Sequence, residues 1–355
     1  MATPHTIGND CSERSDSINC LVSVFIPCYN ETHIIERLLD SLYKQDYPRS
    51  SLEVLIVDGM STDDTRQKIK SFAREHSDLN IRIIDNPKKR VTYALNKGLE
   101  AAKGHFLIRM DAHSIPAHDY ISLCVRNLIE GKGENVGGLL DIQPINNSYV
   151  ARCIAVAAAN LLGSGGAQYR SGSEAGLVDT VAFGSFTRET FRRNGPFNEN
   201  LMANEDYEWN TRLKKNGGRI WFDPAIRCKY FSRGSYRALA KQYFNYGYWK
   251  VIMLRNYPDS LRLRQMAPPA IVFALLLSGL LALFSIFLGW TYTLAIAAIA
   301  AMGYLTSLTI GYLLSSKNTS LLLLPGIISA FVVMHLSWGS GFWISLFKNR
   351  KDTIK

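Results

Sequence analysis

Over the first 110 residues, short apolar runs alternate with amphipathic ones, and several of the apolar runs stop at a polar cluster. Residues 21–26 (LVSVFI) and 52–57 (LEVLIV) are unbroken and β-branched, as buried strands are. Residues 81–84 and 105–110 repeat the pattern. Between them, residues 31–45 set Ile34, Ile35, Leu38, Leu39 and Leu42 at helical spacing. Residues 62–75 predict a helix with acids in its first turn, where the helix dipole favours them, and 93–102 predict another that Gly104 ends. This alternation predicts an α/β fold with a mostly parallel central sheet flanked by helices. Ligands of such sheets bind beyond the carboxyl ends of the strands. Three polar clusters stand there: Cys28-Tyr29-Asn30-Glu31, Asp58-Gly59-Met60-Ser61-Thr62-Asp63-Asp64 and Asp111-Ala112-His113.

The second half is less regular. Strands are expected at 136–140 and 178–183, with a helix of small residues at 154–162 and the loop Gly163-Ser164-Gly165-Gly166 between them. Residues 205–215 predict a helix that Gly217-Gly218 stops. Residues 235–256 are helical and carry Tyr236, Tyr243, Phe244, Tyr246, Tyr248 and Trp249 among Arg237, Lys241 and Lys250. Two readings stand for that helix: it lies in the headgroup layer of a membrane, or it docks on the sheet. From Ala267 to Leu314 there is no Asp, Glu, Lys or Arg in 48 residues. A bilayer crossing takes roughly 20 apolar residues, so spans are expected at about 268–288 and 292–314. Residues 321–347 are apolar again but contain Pro325 and Trp338-Gly339-Ser340-Gly341. A third span puts the basic tail outside, and a re-entrant or interfacial segment keeps it inside, where positive charge is favoured. The expected division is a flexible tail (1–20), a main domain (21–234), a basic aromatic helix and linker (235–266), a membrane region (267–347) and a basic tail (348–355).

Composition narrows the class. With 47% hydrophobic and 20% charged residues the chain is neither disordered nor fibrous. Its net charge of +10 is concentrated before the first apolar run, where residues 227–264 hold nine Lys and Arg against one acid, Asp259. A basic stretch there suits an anionic cytoplasmic leaflet. No nucleic-acid motif accompanies it, so no nucleic-acid partner is expected. The six cysteines form no C-x-x-C pair and no zinc spacing, as in a reduced cytosolic domain. Residues 1–20 lack the apolar core of a signal peptide. The expected location is the cytoplasmic (inner) membrane, multi-pass, with the main domain in the cytoplasm.

There is no P-loop, no G-x-G-x-x-G after the first strand and no G-x-S-x-G elbow. The strand ends carry carboxylates instead. These read donor groups on a base or sugar, or hold a divalent metal on a ligand's phosphates. Residues 22–31 (VSVFIPCYNE) and 57–65 (VDGMSTDDT), with Asn96-Lys97-Gly98, Arg109-Met110-Asp111-Ala112-His113 and Asn204-Glu205-Asp206-Tyr207-Glu208-Trp209, resemble a family-2 glycosyltransferase of the GT-A nucleotide-diphospho-sugar transferase fold. The likeness covers roughly residues 21–250. It is greatest to the membrane-anchored glucosyltransferases of succinoglycan-type exopolysaccharide assembly.

The resemblance implies a nucleotide pocket lined by Pro27, Tyr29 and Glu31, with Asp58 on the uracil of a UDP-sugar. It implies Mg²⁺ or Mn²⁺ held on the donor diphosphate by Asp111, with His113 where the family has a second acid. It implies Asp206 as the base on the acceptor hydroxyl, with Glu205 and Gln242 on the acceptor side. His113 is open between metal ligand and acceptor contact, since imidazole suits Mn²⁺ less than carboxylate does. Arg90 is open between phosphate contact and solvated charge. Asp63 and Asp64 read as turn and N-cap residues, and Glu208 as a helix charge pointing away from Asp206. Processive members carry Q-x-x-R-W, of which Gln242-Tyr243-Phe244-Asn245-Tyr246 keeps only the Gln. The expected function is therefore transfer of a single hexose from a UDP-sugar to a polyprenyl-diphosphate-linked glycan at the bilayer. The alternative is a non-catalytic nucleotide-sugar-binding scaffold; Asp-Ala-His favours it and the Glu205-Asp206 pair opposes it.

Overall fold

The computed structural model describes residues 21–288, 291–315 and 321–348. The expected tail 1–20 and all but the first residue of the basic tail lie outside them. The first half alternates as its apolar runs require: β1 (Val22–Cys28), α1 (Ile35–Tyr43), β2 (Leu52–Asp58), α2 (Thr65–Glu75), β3 (Asn80–Asp85), α3 (Val91–Ala101) and β4 (Phe106–Arg109). There follow β5 (Ser114–Pro116), α4 (Tyr120–Ile129), β6 (Asn135–Pro144), α5 (Tyr149–Ala159), α6 (Leu161–Ser164) and α7 (Gln168–Ser171). Next come β7 (Gly176–Leu177), β8 (Ser185–Thr187), α8 (Arg188–Asn194), α9 (Glu205–Lys215) and β9 (Ile220–Ser232). Four long helices close the described chain: α10 (Tyr236–Leu254), α11 (Ala267–Leu288), α12 (Thr291–Ser315) and α13 (Leu324–Phe347).

The strands form one sheet in the order β3-β2-β1-β4-β8-β6-β9-β5, with β7 on β9. β3, β2, β1 and β4 are parallel, in a register that aligns Cys28 with Asp58 and Phe25 with Arg109. Beyond β4 the sheet is mixed, because β8 runs antiparallel to both β4 and β6. The chain builds outward from β1 to β3 and then returns to place β4 on the other flank of β1. That reversal opens a crevice at the carboxyl ends of β1 and β4. Residues 178–183 are not a strand. They pass between β7 and β8 without a ladder, yet bury Val181 and Phe183, the latter at φ 59°.

Alternate residues of the central strands face two cores. Val24 and Ile26 pack with Leu38, Leu39 and Leu42 of α1, while Phe25 and Leu55 pack with Leu95 and Leu99 of α3 and Trp209 of α9. Each such side chain contributes about 1.5–3 kcal/mol on burial. A third core joins Cys153 and Ile154 of α5, Leu239 and Tyr243 of α10, Leu308 and Tyr312 of α12, and Ile327, Phe331 and Met334 of α13.

This third core determines what α10 and α13 do. The two helices run parallel, side by side. Tyr236 Oη donates to the Gly326 carbonyl (2.9 Å) near their starts, and Arg255 Nη2 donates to the Ser345 carbonyl (2.9 Å) near their ends. At the start of α13, Tyr149 Oη donates to Leu322 O and accepts from Gly326 N, both at 3.1 Å. Both ends of α13 thus rest on the domain that carries the sheet. Among the described residues, Leu263–Ser285 and Leu321–Phe347 are long and apolar enough to cross a bilayer, by length and composition. Lys250, expected among the basic residues at a surface, is buried instead: its Nζ donates to the Ser260 carbonyl (3.0 Å). Burial, aided by Arg262, pushes that ammonium down to about 7.

The α10–α13 contact is close enough to require glycine. A Cβ on Gly247 would overlap the Trp338 carbonyl, and one on Gly341 the Phe244 carbonyl. Gly247→Val therefore overpacks the seam, which typically costs about 1–3 kcal/mol. The unfolding midpoint of the purified protein should fall by roughly 2–10 °C. An unchanged midpoint contradicts the close packing.

Candidate active site

The loops that follow β1 and β2 are sewn together. Gly59 N donates to Cys28 O (2.8 Å), Asn30 N to Ser61 Oγ (2.9 Å), Thr62 N to Asn30 Oδ1 (2.9 Å) and Glu31 N to Thr65 Oγ1 (2.8 Å). Asn30 sits at φ 54°, a left-handed conformation that Asn tolerates better than most residues. The stitching fixes Pro27, Tyr29 and Glu31 along one wall of a cleft of about 550 Å³. Arg90, Asp111, His113, Glu205 and Gln242 line the same cleft. Eight of the residues expected at the site thus share one cavity, although they come from β1 and the loop after it, the loop after β4, the segment before α3, and helices α9 and α10.

Asp58 and Asp206 do not line it, although the Asp206 side chain keeps 27% of its surface exposed. Asp58 is fully buried at the end of β2. Its carboxylate accepts from Ser61 N (3.0 Å), Ser61 Oγ (2.5 Å) and Arg66 Nη1 (2.9 Å). Arg66 reaches on to Asp85 at 2.8 Å. Asp63 spends its carboxylate on Thr65 and Thr32 at the start of α2. Asp64 is the N-cap residue of that helix, without a side-chain bond to it. Asn96 clamps the chain ahead of α9: its amide exchanges hydrogen bonds with the Phe197 backbone at 2.9 and 2.8 Å.

At the centre stands Arg109, the last residue of β4, only 4% exposed. Its Nη2 donates to Asp111 Oδ1 (3.2 Å) and Glu205 Oε1 (3.0 Å), and its Nη1 to Asp206 Oδ1. One buried guanidinium therefore gathers the acid that follows β4 and the two acids that open α9. Burial opposes its charge, but Asp111 and Glu205 outweigh burial and raise it above the ordinary arginine value. Glu205, Asp206 and Glu208 occupy the first turn of α9, where the helix dipole favours them. Glu208 turns inward to Arg212 (3.1 Å) and Tyr257 (3.1 Å) and supports the helix. Asn204 ties the start of α9 to α10 by donating to Tyr246 O (2.9 Å).

His113 Nδ1 lies 3.2 Å from Glu31 Oε1, and its ring packs on Tyr230 at 4.9 Å. Burial would depress the imidazole. Tyr230, the bonded Glu31 and Asp111 outweigh it and hold it up at about 10. The Cys28 thiol is pushed up by burial and by Glu31 and Asp58, so it is no nucleophile at neutral pH. Lys89, whose Nζ stands 5.5 Å from the Tyr29 ring centroid, brings positive charge to the Tyr29 wall, Arg233 and Lys241 bring more to the α10 side, and Gln242 Nε2 donates to Tyr246 Oη (3.0 Å).

The fit of a divalent metal rests on what this site leaves open. His113 Nε2 is buried with no hydrogen-bond partner, and its other nitrogen is oriented by a carboxylate, as ligating imidazoles usually are; because the ring is held protonated here, a metal at Nε2 would displace that proton. Asp111 supplies a hard oxygen donor beside it. Among the described residues no group of three or more His, Cys, Asp or Glu is placed to hold a metal alone. The residues present fit an ion whose remaining ligands come from a bound diphosphate.

Arg109, Tyr230, Tyr246 and Lys89 are among the cleft residues to which sequence reasoning gave no role. Arg109 carried a signal, a lone charge at the end of the apolar run Phe106-Leu107-Ile108.

An open sheet with an acid-centred, cation-rimmed cleft at its switch point is the GT-A arrangement of nucleotide-sugar transferases. The sequence model described as "Glycosyl transferase family 2" matches residues 23–195. The chain is 30% identical to the succinoglycan biosynthesis protein ExoA of Rhizobium meliloti (strain 1021), over 92% of this chain and 96% of that protein. It is 32% identical to a Methanococcus voltae protein, over 66% of this chain and 74% of that one. That protein is named dolichyl N-acetyl-alpha-D-glucosaminyl phosphate 3-beta-D-2,3-diacetamido-2,3-dideoxy-beta-D-glucuronosyltransferase. The fold is similar to that of the mannosyltransferase PcManGT from Pyrobaculum calidifontis, solved with GDP-Man and Mn²⁺. The TM-score is 0.59 at 22% identity, over 92% of this chain and 87% of that one. The chain belongs to glycosyl transferase family 2 and is a glycosyltransferase.

Proposed function

We propose that the protein transfers one hexose, with inversion, from a UDP-sugar to a polyprenyl-diphosphate-linked glycan in exopolysaccharide or related surface-glycan assembly. The observation that carries this reading is the Arg109 cluster, which sets Asp111 and the pair Glu205-Asp206 around one guanidinium. An inverting displacement needs a carboxylate base on the acceptor side and neutralisation of the charge that develops on the leaving diphosphate. Asp206 takes the proton of the acceptor hydroxyl, whose oxygen attacks the anomeric carbon as the bond to the UDP oxygen breaks. Asp111 and His113 Nε2 would hold the Mg²⁺ or Mn²⁺. When bound, that ion neutralises charge on the departing diphosphate. Pro27, Tyr29, Glu31 and Arg90 hold the nucleotide; Asp58, saturated by Ser61 and Arg66, supports the wall.

The lipid-linked acceptor is favoured by the Methanococcus relative, whose name specifies a dolichyl-phosphate glycan, and by the cations on the α10 side of the cleft. One sugar per encounter is favoured by the sequence Gln242-Tyr243-Phe244-Asn245-Tyr246 where processive members carry Q-x-x-R-W. In this reading α11 and α12 enter the bilayer from the cytoplasmic side, and α13, held to the domain at both ends, lies along the membrane surface.

Arg233 and Lys241 are exposed at the acceptor rim. Neutralising both, as Arg233→Gln with Lys241→Gln, removes about 2 kcal/mol of attraction for an anionic acceptor or lipid surface. The acceptor KM at low salt should rise roughly 10–30-fold and the difference should shrink at high salt. The KM for UDP-sugar should hold. Equal acceptor KM for the variant and wild type at low salt removes the rim from acceptor capture.

A further inference from the structure

Arg170 lies on α7, outside the cleft, and the chemistry above does not use it. The residue is partly exposed, and its guanidinium stands among tyrosines, over the Tyr169 ring and beside Tyr243 and Tyr246. Nη1 donates to the Ala158 carbonyl at 3.3 Å and to the Tyr243 hydroxyl at 3.4 Å, both neutral partners. Nε is buried with no partner. No carboxylate pairs with it among the described residues. Arg109, which is buried, has three acids around it. A guanidinium whose Nε is withdrawn from water without a partner calls for an anion, and the described residues supply no carboxylate to it.

Two spaces border the neighbours of Arg170, which itself lines neither. Tyr246, one of its three tyrosines, lines the catalytic cleft. On another side, Ser171, Ala159 and Asn160 line a mainly apolar groove of about 550 Å³. Ile142, Val156 and Leu323 form more of its wall, and Leu323 immediately precedes α13. Arg152 lines the same groove and adds a second positive charge. An apolar trough with unpaired positive charge between it and the cleft matches an amphiphile with an anionic junction.

We propose that Arg170 holds the phosphate of the acceptor's prenyl diphosphate, with the prenyl chain in the groove of α5 and Leu323 and the glycan end in the cleft. This rests on the lipid-linked acceptor argued above. Phosphate oxygens accept charge-assisted bonds from a guanidinium in a fork geometry that a lysine reproduces only in part.

The test uses the full chain in detergent or nanodiscs, with Arg170→Met and Arg170→Lys. Arg170→Met should raise the acceptor KM about 10–100-fold, the size expected for lost bonds to a charged group. It should leave the KM for UDP-sugar unchanged, and the melting temperature equal or higher, because an apolar side chain replaces a partly buried cation with no carboxylate partner among the described residues. Arg170→Lys should recover part of the acceptor KM. Geranylgeranyl diphosphate, added without donor, should raise the melting temperature of wild type and not that of Arg170→Met. Inorganic pyrophosphate should not distinguish the two. A pyrophosphate effect that depends on Arg170 and equals that of the prenyl compound overturns the lipid assignment in favour of a free anion. Unchanged acceptor KM together with an unchanged geranylgeranyl diphosphate shift in a folded Arg170→Met protein overturns the proposal. The thermal shift needs no turnover. A wild type that binds the prenyl compound but glycosylates no lipid-linked acceptor therefore contradicts the functional reading and not the site.

Discussion

Asp206→Asn should lower the rate of transfer at saturating substrates by about 10²–10⁴, the usual weight of a general base. The substitution keeps the shape and a hydrogen-bond acceptor for Arg109 Nη1, so the cluster of Asp111, Glu205 and residue 206 stays assembled around its guanidinium. It removes the group that accepts the acceptor's proton. UDP-sugar affinity should change little, because the side chain lies outside the walls formed by Pro27, Tyr29 and Glu31. Steady-state kinetics with donor binding measured by calorimetry separates the two effects. A variant that loses UDP binding in step with turnover places Asp206 on the donor side.

Asp111→Asn should abolish measurable transfer and remove the dependence of UDP binding on Mn²⁺. Asp111 follows β4, lines the cleft and accepts from Arg109 at 3.2 Å. The amide retains size but not charge, and a neutral oxygen is a poor ligand for a hard cation already short of protein donors. Calorimetric titration of UDP with and without Mn²⁺ reads the change. UDP binding with undiminished Mn²⁺ dependence in the variant contradicts the metal assignment.

The donor half of the molecule was legible in the sequence for a physical reason. Parallel strands buried on both faces read as continuous apolar runs, so β1, β2 and β4 announced themselves, and each ended where a polar cluster began. The register that aligns Cys28 with Asp58 and Phe25 with Arg109 then brought two of those clusters into one cleft. β9 was not legible: Pro224 interrupts it, its polar residues alternate, and its pairing with β6 shifts between Gly138 and Leu139. The role of Arg109 was hidden because two of its three acids arrive from α9, 96 and 97 residues later. Asp58 and Lys250 show the converse limit. Both carry the charge expected of a solvent-facing or ligand-facing residue, and both are turned inward by neighbours that only the fold supplies, Arg66 for one and Ser260 for the other. The apolar composition of α13 suits a bilayer and a protein interior equally. Its position was decided by Gly247 and Gly341, which let it lie against α10.

The central claim is that this glycosyltransferase moves a hexose from a UDP-sugar to a lipid-linked glycan. The most direct measurement incubates the purified full-length protein with radiolabelled UDP-hexoses, Mn²⁺ and extracted polyprenyl-diphosphate oligosaccharides, and follows label in the lipid fraction. The account predicts one added hexose per acceptor from a UDP-sugar, dependent on divalent metal and lost in Asp206→Asn. Label that enters lipid equally well in Asp206→Asn, or donor turnover with no label in lipid for any UDP-hexose, contradicts it.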